Sequence, residues 1–176
     1  MTASEIKKRF AEHFLSEYVI ANELRDLACS DIVAIDRDLN IREYEIKISI
    51  SDLRRELKEI DFILAHTPLE YGYGNYGENK RDKHHLFLNG LTDFNRYERE
   101  FPRFYCPATY SFLITRELYE KEKERIDKLP YGVMDSETFR ILKPAKHLKE
   151  AKKASALQLW KVAHSQNYKL FGGGNE

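Results

Sequence analysis

A mixed α/β fold, with a central sheet flanked by helices, is predicted by three features of the chain. Asp31 to Lys47 has the form of a β-hairpin. Apolar residues recur at helical spacing on either side of it, and short strand-like runs return later in the chain with a helix between them. At 176 residues and 42% apolar content, the sequence is long enough for one domain with a sizeable core and too short to expect two. The domain is expected over residues 1–170, with a flexible tail at 171–176.

In chain order, Ile6, Phe10 and Phe14 recur four apart and predict an amphipathic helix, with Ser4 as its cap. The hairpin follows. Ile32 to Ile35 is a four-residue apolar run, Asp36-Arg37-Asp38-Leu39-Asn40 is turn chemistry, and Ile41 to Ile48 alternates. Tyr44, Ile46 and Ile48 then share one face, and Glu43, Glu45 and Lys47 the other. A turn centred on Asp38 pairs Ile35 with Ile41 and brings Asp31 opposite Glu45. Next comes a second amphipathic helix, with Ser51 as cap, Asp52 in the first turn, and Leu53, Leu57, Ile60 and Leu64 facing inward.

Thr67 to Asn79 alternates three Tyr with three Gly, a loop too long for an ordinary connection. Its rings would either stack on unpaired bases or cover a neighbouring surface. Thr115 starts a third helix with Leu118, Tyr119, Ile126 and Leu129 inward, closed by Pro130. Tyr131–Asp135 and Thr138–Leu142 read as a strand pair, and Leu148, Ala151, Ser155, Leu159 and Val162 as a last helix carrying the only Trp, Trp160.

The hairpin holds the candidate chemistry. Directly opposed side chains sit about 4.5–5.5 Å apart at Cβ, and two carboxylates there repel unless a cation lies between them. Mg²⁺ would serve, since it takes oxygen ligands and commonly uses only one or two carboxylates plus waters and a substrate phosphate. Asp31 and Glu45 are the candidate ligands, joined by the backbone carbonyl of Ile46. Lys47 would orient a water nucleophile or stabilise charge growing on the phosphate. Against this stands the commonness of Glu-x-Lys on strands, where an exposed pair contributes about 0–1 kcal/mol and nothing else.

With the acid, Glu45-Ile46-Lys47 and the following helix in register, the chain resembles the PD-(D/E)XK nuclease superfamily, and within it the MmcB-like group of DNA-repair endonucleases. Tyr18-Val19-Ile20-Ala21-Asn22-Glu23-Leu24 resembles the family's first strand with its acidic residue. Ser30-Asp31-Ile32-Val33-Ala34 resembles the metal-binding strand, and Tyr44 to Ser49 with Asp52-Leu53-Arg54 the signature strand and helix. Arg103-Phe104-Tyr105-Cys106 resembles the next, parallel strand, and Leu129 to Met134 the glycine-containing strand after it. The likeness covers roughly residues 15 to 150. It departs from the pattern in having Ser30 before the Asp and an insertion at about 61–82.

The resemblance implies a restriction-endonuclease-like fold and Mg²⁺-dependent hydrolysis of DNA, with Mn²⁺ as a substitute, in DNA repair or in phage and mobile-element processing. Asp31, Glu45 and Lys47 would be catalytic, at a surface cleft, with Glu23 as a further ligand or base. The competing class is a non-catalytic nucleic-acid-binding or assembly module on the same fold, and a third is an unrelated α/β protein with an accidental match.

Charge gives no global sign of a nucleic-acid binder, because 29 basic side chains balance 29 acidic ones. Phosphate contacts must then come from local clusters. Lys80, Arg81, Lys83 and His84 are the first candidates, and Lys143 to Lys153 the second; otherwise both stretches are solvated surface. His84 and His85 are not expected to ligate metal. Cys29 and Cys106 read as small buried hydrophobes. No apolar run approaches about 18 residues and no basic-then-apolar leader is present, so a cytoplasmic protein without membrane association is expected, with a homodimer left open.

Overall fold

The computed structural model describes residues 1–22, 30–65, 84, 88, 107–147, 151 and 153–171. Helix α1 (Ala3–Phe14) leads into strands β1 (Val19–Asn22), β2 (Ile32–Ile35) and β3 (Ile41–Ile46), then α2 (Ile50–Ala65), β4 (Thr109–Ile114) and α3 (Arg116–Ile126). Strands β5 (Gly132–Asp135) and β6 (Ile141–Lys143) and helix α4 (Ala156–Phe171) follow. The six strands form one mixed sheet in sequence order. Strands β1, β2 and β3 pair antiparallel, β4 and β5 add parallel to β3, and β6 closes the far edge antiparallel. The fold is the mixed α/β sheet flanked by helices that the sequence predicts.

The hairpin register is the expected one, with Ile35 opposite Ile41 and Ile32 opposite Tyr44. Its turn is closed by Asp36, whose carboxylate accepts from the backbone N–H of Asp38 and Asn40 and from the Arg42 guanidinium. Leu39 sits at φ 62°, where the turn needs a left-handed residue.

Both faces of the sheet are covered. On one, Ile6, Phe10 and Phe14 of α1 pack over Ile32, Ala34, Tyr44, Ile46, Leu113 and Met134. On the other, α2 and α3 cover Tyr110, Phe112, Ile114, Tyr131 and Val133, while Ala154 and Val162 cover Ala21, Val33, Ile35 and Ile41. Between these last two clusters runs the charged face of β3. Gly132 is required where β5 passes β4, because a Cβ there would lie 2.5 Å from Ser111 Oγ and 2.8 Å from Ala145 Cβ.

Several local expectations shift. Thr2, not Ser4, caps α1, through a reciprocal box with Glu5. Ser49 precedes α2 and accepts from the Asp52 N–H, so that helix starts before Ser51. Its inward stripe ends on Ile63, while Leu64 is exposed. The helix runs unbroken to Ala65, so residues 61–65 belong to it rather than to an insertion. Ile48 is exposed because β3 stops at Ile46 and strand parity stops with it.

The parallel partner of β3 is Thr109–Ile114, whereas Arg103–Cys106 lies outside the described residues. Strand β6 is shorter than the run drawn for it, and the last helix begins only at Ala156, with Ser155 accepting from the Gln158 N–H. Leu148, the Tyr/Gly loop, Cys29, Cys106, His85 and the tail at 172–176 also lie outside the described residues. No described helix is long and apolar enough to cross a membrane.

Candidate functional site

The site gathers where the hairpin's second strand meets α2. Asp31 stands just ahead of β2, directly before the Ile32–Tyr44 pair that ends the hairpin register, and Glu45 directly follows Tyr44 on the partner strand. Its carboxylate is partly exposed. One oxygen accepts from the Ile46 N–H at 2.9 Å, and the other is 3.0 Å from Lys7 Nζ, which α1 brings in. In an extended strand a residue's N–H and C=O share a side. The Ile46 carbonyl therefore looks toward the Asp31 edge, while its side chain is buried under α1.

Glu45 and Lys47 lie on the opposite face from Ile46. Lys47 Nζ is 3.0 Å from Glu45 Oε1, 2.9 Å from Glu56 Oε2 and 3.7 Å from Asp52 Oδ2. These groups are not the surface pair that would contribute little, since Glu45 is 2% exposed and Lys47 4%. The surface cleft expected around them is replaced by burial. Glu43, which shares their face, is buried beside them and accepts from the Ser30 hydroxyl.

Burial strongly shapes the charges. It pushes the Lys47 ammonium toward losing its proton, but the Glu45 and Glu56 carboxylates outweigh it and hold the pKa above the ordinary lysine value. Burial likewise pushes Glu56 up, and the hydrogen bond with His84 together with the Lys47 charge brings it well below the usual carboxylate range. Tyr110 is raised well above its ordinary value by burial and by the neighbouring Glu45 and Glu56 charges. The repulsion foreseen between Asp31 and Glu45 is thus relieved by two ammonium groups, Lys7 at the first and Lys47 at the second.

Two carboxylates and a backbone carbonyl are the hard oxygen donors that Mg²⁺ selects. Among the described residues no group of three or more His, Cys, Asp or Glu side chains is arranged to hold a metal. Mg²⁺ does not need three, because waters and phosphate complete its shell. Asp31, Glu45 and the Ile46 carbonyl therefore fit such an ion by donor chemistry, provided Lys7 and Lys47 yield a lone pair on each carboxylate.

Glu23, Lys80, Arg81 and Lys83 lie outside the described residues. His84, expected among the phosphate contacts, is instead fully buried, held between Glu56 and the Tyr131 hydroxyl at 2.8 Å each. A side chain with both ring nitrogens engaged inside the core does not reach a phosphate. In the second basic stretch, Lys143 donates to the carbonyls of Ile126, Leu129 and Tyr131, and Lys153 to Asn40. Both serve the scaffold.

Sequence reasoning missed Lys7, Glu56 and Tyr131. Glu56 had a legible signal, an acid set within the inward stripe between Leu53 and Ile60. Lys7 had none, because its partner is far along the chain. Comparison with protein-family models, with curated proteins and with solved structures finds no match to this chain.

Proposed function

We propose that the chain is a metal-dependent nuclease that hydrolyses DNA phosphodiester bonds with the PD-(D/E)XK arrangement of side chains. The observation that carries the reading is the junction itself. Asp31 directly precedes the Ile32–Tyr44 pair and Glu45 directly follows it, Lys47 is 3.0 Å from the Glu45 carboxylate, and the strand runs into α2 and pairs with a parallel strand. A pure scaffold has little use for an ammonium buried between two carboxylates as Lys47 is between Glu45 and Glu56.

In this reading Asp31, Glu45 and the Ile46 carbonyl hold Mg²⁺ or Mn²⁺, and Glu23 is a further ligand or base. The bound ion would lower the pKa of a coordinated water and neutralise phosphate oxygens. Lys47, held protonated by two carboxylates, orients the attacking water and stabilises charge on the phosphate rather than acting as the base. Lys80, Arg81 and Lys83 supply phosphate contacts, and DNA is the partner.

A binding or assembly module is the second reading, favoured by the depth at which Glu45 and Lys47 are buried and paired. Cleavage separates the two. With Mg²⁺ or Mn²⁺ the purified protein should cut single-stranded, duplex or branched DNA, and Glu45→Gln and Lys47→Arg, which preserve bulk, should abolish it. Equal cutting by all three proteins would mean a contaminant, and no cutting of any form by the wild type would favour the module. On an uncleaved substrate, changing Lys80, Arg81 and Lys83 to Ala should weaken binding and reduce the salt slope by about 1 per lost contact.

A further inference from the structure

A line of buried polar groups runs from Lys47 into the body of the domain, and the chemistry above uses only its first member. Lys47 Nζ donates to Glu56 Oε2 at 2.9 Å, Glu56 Oε1 is 2.8 Å from His84 Nε2, and His84 Nδ1 is 2.8 Å from the Tyr131 hydroxyl. The four residues come from the end of β3, from α2, from position 84 and from the residue ahead of β5, and none is more than 5% exposed. A carboxylate only accepts, so Nε2 carries the proton that faces Glu56, and in the neutral ring Nδ1 then accepts from the Tyr131 O–H. Tyr110 and Tyr131 flank the imidazole, with ring centroids 5.4 Å away in each case.

Such a line is costly to bury and apolar side chains would fill the space without that cost. What it adds is direction. A lysine has a long stem rich in rotamers, and one acceptor leaves its ammonium free to swing. Glu45 on β3 and Glu56 on α2 together give it two acceptors on different elements, at 3.0 and 2.9 Å. Glu56 is in turn prevented from turning away by His84, and His84 by Tyr131.

We propose that Glu56 is a positioning residue for the Lys47 ammonium and that His84 and Tyr131 position Glu56, so this hydrogen-bonded line sets where Lys47 stands against a substrate phosphate. The consequence for cleavage rests on the nuclease reading, whereas the control of Lys47 by the line does not.

The test therefore has two arms on the full chain, using Glu56→Gln and Tyr131→Phe, each checked for a wild-type circular dichroism spectrum. The first arm follows the ¹⁵Nζ signal of the Lys47 ammonium by NMR, identified by its loss in Lys47→Arg. It should be sharp in the wild type, lost in Glu56→Gln and weakened in Tyr131→Phe, which removes one oxygen from the far end of the line. The second arm measures DNA cleavage. Displacing a positioned group by about 1 Å can cost 10²-fold, so Glu56→Gln should lower kcat by about that factor and Tyr131→Phe by less, both with KM unchanged.

An unchanged Lys47 signal in both variants overturns the proposal whatever the cleavage result. Unchanged kcat in both variants, with an active wild type, overturns its catalytic part. If the wild type cuts no DNA, the nuclease reading fails on its own, and the NMR arm still decides whether Glu56 positions Lys47.

Discussion

On one face of β3, Tyr44 and Ile46 are each 5% exposed beneath Phe10 and Phe14; on the other, Glu43, Glu45 and Lys47 are buried at least as deeply, at 1%, 2% and 4%. The first face gains by removing apolar surface from water, roughly 1.5–3 kcal/mol for each large side chain fully buried. The second gives up hydration of charges and recovers it through close polar contacts, among them the pairing of Glu45, Lys47, Glu56 and His84. One strand, at one depth, is thus held by apolar burial on one side and by paired charges on the other.

The largest expected effects come from breaking each face. Phe10→Ala, which empties a fully buried site among Phe14, Tyr44 and Phe139, should cost about 3–5 kcal/mol in urea unfolding. Lys47→Ala should cost a similar 3–5 kcal/mol, because it removes the ammonium shared by two buried carboxylates. That overturns the expectation from a surface cleft, in which this variant would leave stability nearly unchanged. The faces should then part in their response to repair. Glu45→Leu combined with Lys47→Met should regain much of the stability lost in Lys47→Ala while leaving cleavage abolished, since apolar replacement of a buried ion pair is often neutral or better. A double variant less stable than Lys47→Ala would show that the charges themselves hold the fold.

A pH titration sharpens the contrast further. Glu56 has a folded pKa below its ordinary 4.5, so its contribution is full above that value and is lost as pH falls from there toward the folded pKa. Lys47 works in the other direction, contributing fully below its ordinary 10.5 and losing that contribution as pH rises toward its raised folded value. The urea midpoint of the wild type should fall below pH 4.5, and Glu56→Gln should flatten that fall while Phe10→Ala keeps its slope. Identical slopes in all three would remove Glu56 as the titrating group.

Lys7→Met should give the smallest change, within about 1 kcal/mol, because Asp31 is partly exposed and keeps the Ile46 N–H. By freeing a carboxylate lone pair it should tighten Mn²⁺ binding in calorimetry. Weaker Mn²⁺ binding would mean that Lys7 organises Asp31 for the ion instead of competing with it.

The hairpin, its register and the shared side of Glu43, Glu45 and Lys47 were legible because strand period and turn chemistry are local. So were the inward positions of Phe10, Leu57 and Tyr119, which follow from helical spacing. What escaped was long-range pairing. Strand parity places Lys47 beside Glu45 but is silent on α2 closing over both and on α1 bringing Lys7 to Asp31. His84 was misread because its neighbours Lys80, Arg81 and Lys83 are basic, and a basic setting in sequence does not reveal that an imidazole is folded inward onto an acid and a phenol. Glu56 was the recoverable loss, a carboxylate in an apolar stripe being the mark of a buried charge with a partner.

A crystal soaked in Mn²⁺, with anomalous scattering used to locate the ion, tests the central claim most directly. One anomalous peak should appear bonded to Asp31, Glu45 and the Ile46 carbonyl, with Lys7 Nζ moved away from its 3.0 Å contact with Asp31 and Lys47 still on Glu56. Asp31 remaining on Lys7 with no peak beside Glu45, in crystals soaked at saturating Mn²⁺, would contradict it.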